Sequence, residues 1–339
     1  MDQLSQNLPG IIALALIVGV CAFAGIRVGP RFLIRRIAGV IFVLFGVTFI
    51  TFILGYFAPG NAVLTQTGGH APKVVIQHLL HLYGLDLPWY EQYARFLNQL
   101  VHFNLGYSYI DVTQSVGAIL GRYVPISAQL GITATVLAII VGVPLGLYAA
   151  VRANTTYDTS IQTLSLVFYA LPTFVLIPLY QLLMITLHSN NLPSLSVTGW
   201  DSWDAMVGPI LIFGAGIFAF FLRITRVSML EVLRQDYVRT ARAKGLTENR
   251  VIWWHAFRNA LINLLTAIGP ALAFAVGGVF VVETLFNIPG IGSESLTAIN
   301  QRDYPVVQGT VILIAVAIAF ANLVTDIAYG LVDPRIKTS

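Results

Sequence analysis

Charge is scarce in this chain: 10% of its 339 residues are Asp, Glu, Lys or Arg, against 57% hydrophobic. Soluble domains carry roughly a quarter charged residues, so a soluble globule is excluded. Cysteine is almost absent. Cys21 stands alone inside an apolar run, so it forms no internal disulfide and does not report the redox compartment. Lysine occurs only as Lys73, Lys244 and Lys337, none of them after a glycine, so the chain has no Gly-Lys-Ser/Thr phosphate loop and cannot hydrolyse ATP alone. There is no His-Glu-x-x-His helix and no set of residues that makes a catalytic site, so no catalytic residue is assigned. His70, His78 and His81 lie close together, but no cysteine or carboxylate completes a metal site, and none is assigned. The basic residues flank apolar stretches and are not interleaved with stacking aromatics. The net charge of +4 is therefore a topology signal and not a sign of nucleic-acid binding.

What is present is a series of charge-free windows: 3–26, 37–72, 123–151, 159–200, 205–222, 259–282 and 304–325. Crossing a bilayer takes about 20 apolar residues, which predicts an all-α polytopic membrane protein with seven spans. The long fourth window holds one span, because its end, His188-Ser-Asn-Asn-Leu-Pro-Ser194, is polar and turn-forming. With the N-terminus outside, fifteen basic residues fall inside and four, Lys73, Arg95, Arg122 and Arg302, fall outside. The positive-inside rule therefore sets the N-terminus out and the C-terminus in. The first span has Asp2 before it and arginines after it, the reverse of a signal peptide, and reads as a retained helix.

This divides the chain into an extra N-terminal helix (1–30), a first core span (31–58), an outer helical segment (59–122) and a core (123–335) with an inner loop at 223–260. In the outer segment Tyr90, Tyr93 and Leu97 fall on one helical face. The inner loop reads as a helix stopped at Gly245, with Thr247 capping the next helix. Tyr237, Ala241 and Gly245 share a stripe on which another surface can approach closely. Arg239 and Arg242 flank it, ready for carboxylates on a partner.

Asp236-Tyr-Val-Arg-Thr-Ala-Arg-Ala-Lys-Gly-Leu246 and Asn249-Arg-Val-Ile-Trp-Trp-His-Ala-Phe-Arg-Asn-Ala260 resemble the cytoplasmic loop of permease subunits in binding-protein-dependent ABC importers, in the dipeptide, oligopeptide and nickel branch. Supporting stretches follow in the family's order. They are Arg35-Arg36, Ala58-Pro-Gly60, Tyr83-Gly-Leu-Asp-Leu-Pro88, Asn104-Leu-Gly-Tyr-Ser108, Gly142-Val-Pro-Leu-Gly146, Leu171-Pro-Thr-Phe174, Val282-Glu-Thr-Leu-Phe-Asn-Ile-Pro-Gly-Ile-Gly292, Arg302-Asp-Tyr-Pro-Val-Val-Gln-Gly309 and Asp333-Pro-Arg335. An ordered set of this kind is far more specific than any one motif. The chain departs from the pattern where Arg239-Thr-Ala241 replaces the usual Glu-Ala-Ala, and where Asn61 replaces a common aspartate. The extra first span also has no counterpart in the six-span core.

The resemblance implies a non-enzymatic transport subunit in the cytoplasmic (inner) membrane of a prokaryote, in contact with membrane lipid. It would form half of the translocation path for peptides or a related small solute. Its implied partners are a second homologous permease, two ATPase subunits that bind ATP and Mg, and an extracytoplasmic binding protein; this chain binds no cofactor of its own. Tyr237, Arg239, Thr240, Ala241, Arg242, Gly245 and Leu246 would couple to the ATPases. Pro172, Phe174, Gly277, Gly278 and Glu283 are the expected path residues, and Pro172 and Pro178 would kink the fourth span. Glu283 and Asp326 are the ionisable residues expected at membrane depth, Glu283 either facing an aqueous path or reaching water at a helix end. A self-contained secondary transporter would want midplane acids and inverted repeats, which the sequence does not display. A membrane scaffold for another enzyme is a third reading.

Overall fold

The computed structural model describes residues 30–58, 63 and 72–332, which are helical apart from connections and one bridge between Tyr107 and Ser115. The expected first span at 3–26, Asn61, His70, the side chain of Asp326, and Asp333 to Arg335 lie outside the described residues. Two units result, Met1–Ser127 with Pro289–Phe320, and Ala128–Ile288 with Ala321–Ser339.

The first unit contains α1 (Pro30–Phe57), α2 (Lys73–Leu82), α3 (Trp89–Val101), the start of α4 (Val116–Val151), α12 (Ile291–Gln301) and the start of α13 (Tyr304–Val332). Pro72 and Pro88, with φ of −54° and −63°, precede α2 and α3 and pre-set the chain for helix entry. Tyr93 anchors α3 on α1: its ring lies 5.1 Å from Phe52 and 5.4 Å from Phe49, and its hydroxyl is 3.2 Å from Thr48 Oγ1. The packing stripe is Tyr93, Phe96, Leu97 and Leu100, whereas Tyr90 is 57% exposed, correcting the expected Tyr90–Tyr93–Leu97 face. The cause is Phe96, which stacks 6.5 Å from Phe52 and rotates the inward face by about one position. A turn-rich segment follows α3 and is pinned by buried Asp303. That carboxylate accepts from the Tyr109 N–H at 3.0 Å and from the Ser108 hydroxyl. Burial and the Asp303 charge push the Tyr109 phenol up to about 12. Below, Val116, Ile119, Leu120, Ala298 and Val306 form the unit's core.

The second unit contains the rest of α4, α5 (Thr156–Ala170), α6 (Thr173–Ser189), α7 (Trp203–Leu233), the inner connection and α10 (Arg258–Gly277). It is completed by α11 (Phe280–Phe286) and the end of α13. A glycine inside a helix costs about 1 kcal/mol against alanine; in α4 that cost allows two helices to meet backbone to backbone. A Cβ on Gly142 would lie 2.9 Å from the Phe218 carbonyl oxygen, and one on Gly146 would collide with that of Leu222. The two glycines are four residues apart and share one face of α4, the small-xxx-small spacing of membrane helix pairs. At the start of α5, Asp158 is buried and paired with Arg226 of α7 through two bonds, at 2.7 and 2.8 Å. Gln162 Nε2 and the Asn154 N–H donate to the same carboxylate, both at 2.9 Å, so its acceptor positions are filled.

Four helices are long and apolar enough to cross a membrane among the described residues, or five if α5 and α6 count as one broken span. The 20 residues of α10 would also reach across, although three of its side chains lie outside those described. Helix ends and charge boundaries differ. α4 begins at Val116 and not at 123, and α7 runs to Leu233 and not to 222. At 1.5 Å per residue their 36 and 31 residues span about 54 and 46 Å, well beyond a hydrocarbon core of about 30 Å. Charge marks where a helix leaves the apolar layer and says nothing about where it stops.

Candidate coupling site

The inner connection starts where α7 ends at Leu233. A tight turn through Arg234 and Gln235 leads into α8 (Asp236–Ala243). The stop is a Schellman motif: the Gly245 N–H bonds the Arg242 carbonyl at 2.9 Å, and the Leu246 N–H bonds the Ala241 carbonyl at 3.4 Å. Gly245 takes φ +77°, which glycine adopts without strain. The expected stop at Gly245 is therefore present, with a defined hydrogen-bond pattern. Thr247 stands at the next N-cap, but its side chain makes no capping bond; its carbonyl accepts from Arg250 and Val251 instead. The short helix α9 (Glu248–Arg250) then passes into a π-helical stretch, Val251–Phe257, a rare geometry that is frequent at functional sites.

The orientation of α8 corrects the expected stripe. Val238 and Ala241 are buried against Val251, with Val232, Leu233 and Leu246 packed around them. Ala241 and Leu246 thus hold α8 to its own chain. The outward face carries Arg239, Thr240, Ala243 and Lys244, with exposed Tyr237 on its flank. Arg242 is also engaged within the chain, donating to Glu248 at 2.7 and 3.2 Å across the Gly245 turn. That pairing holds the Glu248 carboxyl below and the Arg242 guanidinium above their ordinary values. The pair is therefore intact at neutral pH, and its contribution is lost as pH falls through the lowered Glu248 value. Among the described residues Arg239 has only an exposed ion contact, at 3.8 Å to Asp236, worth little in water, so its charge is available to a partner.

The π-helical stretch ties α8 to the membrane helices. Ile252, Ala256 and Ala260 pack with Leu147 and Ala150 of α4 and Met229 of α7 in one buried cluster. Trp253 and Trp254 on the same stretch are exposed. Force applied to α8 thus meets three packed helices and no flexible loop.

The expected path residues are not brought together with this site. Pro172 stands at the break between α5 and α6, where the axis turns by 101°, and Phe174 two residues beyond is 60% exposed. Pro178, expected to kink the same span, lies inside continuous α6; the bend falls at Leu171–Pro172, where the residue before proline is pushed out of the helical region. Gly277 and Gly278 end α10 ahead of α11. Glu283 is 0% exposed, so in this conformation it reaches neither an aqueous path nor a helix end in water. The Asp158–Arg226 pair and the anchoring role of Asp303 are not among the sequence expectations. A signal for the first did exist, in Thr155 three residues before Asp158 at a helix start, but its partner lies 68 residues away.

Residues 30–131 and 142–338 match, in turn, the N-terminal and main regions of the binding-protein-dependent transport system inner membrane component. The chain is 38% identical to the dipeptide transport system permease protein DppB of Bacillus subtilis (strain 168), over 91% of this chain and 98% of that protein. It is 35% identical to the glutathione transport system permease protein GsiC of Escherichia coli O6:H1, over 91% of this chain and 99% of that protein. In fold it is similar to the MetNI methionine ABC transporter in its inward-facing conformation. There the TM-score is 0.52 at 16% identity, over 63% of this chain and 96% of that one. On these matches the chain belongs to the inner membrane permease family of binding-protein-dependent ABC importers.

Proposed function

We propose that this chain forms half of the translocation path of an ATP-driven importer for peptides or a related small solute, and receives the ATPase stroke through α8. The observation that carries the reading is the seating of α8: a short helix locked by Val238 and Ala241 onto α7 and the π-helical stretch, with Arg239 and Thr240 facing outward. A helix held in this way moves with its neighbours as a rigid body. The peptide class is supported by the dipeptide and glutathione permeases to which the chain is similar. In this scheme the chain pairs with a second permease, two ATPases that bind ATP and Mg, and an extracytoplasmic binding protein. Pro172 and Phe174 at the α5–α6 break, and the Gly277–Gly278 break, are the proposed moving parts of the path. Buried Glu283 supports α11 from within and does not contact solute.

Two variants test the coupling. Gly245→Val forces a β-branched residue into positive φ, and Arg239→Glu reverses the outward charge. Both should insert into the membrane normally yet lose most transport-linked ATP hydrolysis in the reconstituted complex. Wild-type hydrolysis in both would remove α8 from the coupling. The orientation is tested separately. A cysteine at Ser5 should react with an impermeant thiol reagent from outside and one at Thr247 should not; labelling of both from one side would refute the seven-span topology.

A further inference from the structure

Between α5 and α7 lies an open groove of about 730 Å³. Because Asp158 at the start of α5 meets Arg226 near the end of α7, the two helices run in opposite directions. One end of the groove is consequently polar and carries Thr163 and Arg223. The other is walled by the exposed side chains of Leu166, Tyr169 and Phe220. Arg226 has its charge matched by Asp158, whereas Arg223, one turn closer to the apolar wall, has no ion pair among the described residues. A cation at the head of an apolar groove, at the basic inner end of two membrane helices, is complementary to an amphiphile with an anionic head.

We propose that this groove seats one anionic phospholipid, its phosphate at Arg223 and Thr163 and an acyl chain along Leu166, Tyr169 and Phe220. Guanidinium offers a planar, paired set of donors to phosphate oxygens. A zwitterionic headgroup carries the same phosphate beside its own cation, so net charge decides selectivity. The site rests on α5 and α7 being membrane helices with Arg223 at the inner boundary, and does not depend on what the transporter carries. The lipid would fix the α5–α7 pair immediately beside the Leu171–Pro172 bend.

Native mass spectrometry of the assembled transporter, equilibrated with phosphatidylglycerol or phosphatidylcholine in detergent and then stripped, reads retention without requiring transport. Wild type should retain phosphatidylglycerol over phosphatidylcholine. Arg223→Gln should lower that retention about fivefold, the scale expected of one arginine at an anionic surface. Arg223→Lys should restore part of it, and Lys73→Gln, outside the groove, should leave it unchanged. Leu166→Trp, which fills the groove and keeps the charge, should also reduce retention and so tests the site even if Arg223→Gln assembles poorly. Equal retention in wild type, Arg223→Gln and Leu166→Trp would show annular lipid only and overturn the proposal. Efficient disulfide formation under added oxidant between Leu166→Cys and a cysteine introduced into the second permease subunit would overturn it as well, since protein would then cover the groove.

Discussion

Replacing Asp158 with alanine should strongly destabilise the chain. Arg226, 17% exposed at its side chain, would be left beside the 2% exposed position of its lost partner. Breaking a buried pair by removing one member costs about 3–5 kcal/mol, because the remaining charge is neither solvated nor matched. The Gln162 amide and the Asn154 N–H would lose their acceptor too. The expected outcome is a sharp drop in membrane yield and in the thermal midpoint of the purified transporter. The double variant Asp158→Ala with Arg226→Met, which removes both charges, should recover much of the loss. A single variant as stable as wild type, or a double variant with additive losses, would show that the pair does not join α5 to α7.

The second large effect is expected at Gly146. A Cβ there meets the Leu222 carbonyl oxygen and would sit 2.8 Å from the Thr225 Cβ. A backbone oxygen in the middle of α7 cannot rotate away, so Gly146→Val must push the two helices apart. Overpacking of this kind costs about 1–3 kcal/mol. Gly39, whose added Cβ would meet nothing within 4 Å, is the control. Gly39→Ala should leave assembly unchanged while Gly146→Val lowers assembled complex several-fold, as read by size-exclusion yield. Normal assembly of Gly146→Val would mean that the α4–α7 approach is not required.

The membrane class, the helical architecture and the inner connection were legible because they rest on local composition: long charge-free windows, a basic inner segment and a glycine placed to stop a helix. Gly245 was readable for that reason. Which face of α8 points outward was not. Tyr237, Ala241 and Gly245 form a plausible stripe in isolation, but Val238 has Val232, Leu233, Val251 and Leu246 to bury against, and that tertiary burial turns Ala241 inward. The pairing of Arg242 with Glu248 crosses a turn, so helical spacing does not reveal it. The helix ends at Val116 and Leu233 leave no mark in the charge pattern, because charge follows the edge of the apolar layer and not the last turn of the helix. Asp303 sat inside a recognised motif, yet its role needs Ser108, 195 positions earlier. Such long-range pairs carry no periodic signal, and only the fold brings them together.

In the proposed scheme this chain moves its solute only when driven through α8 by ATPases. The most direct measurement is peptide uptake into proteoliposomes that hold this chain, its second permease and the two ATPases, with binding protein outside. Uptake of a dipeptide or of glutathione should require ATP within the lumen, should persist when proton and sodium gradients are collapsed, and should fall to background with Arg239→Glu. Uptake that proceeds without ATP or ATPases and follows an imposed ion gradient would contradict ATP-driven import and make the chain a secondary transporter.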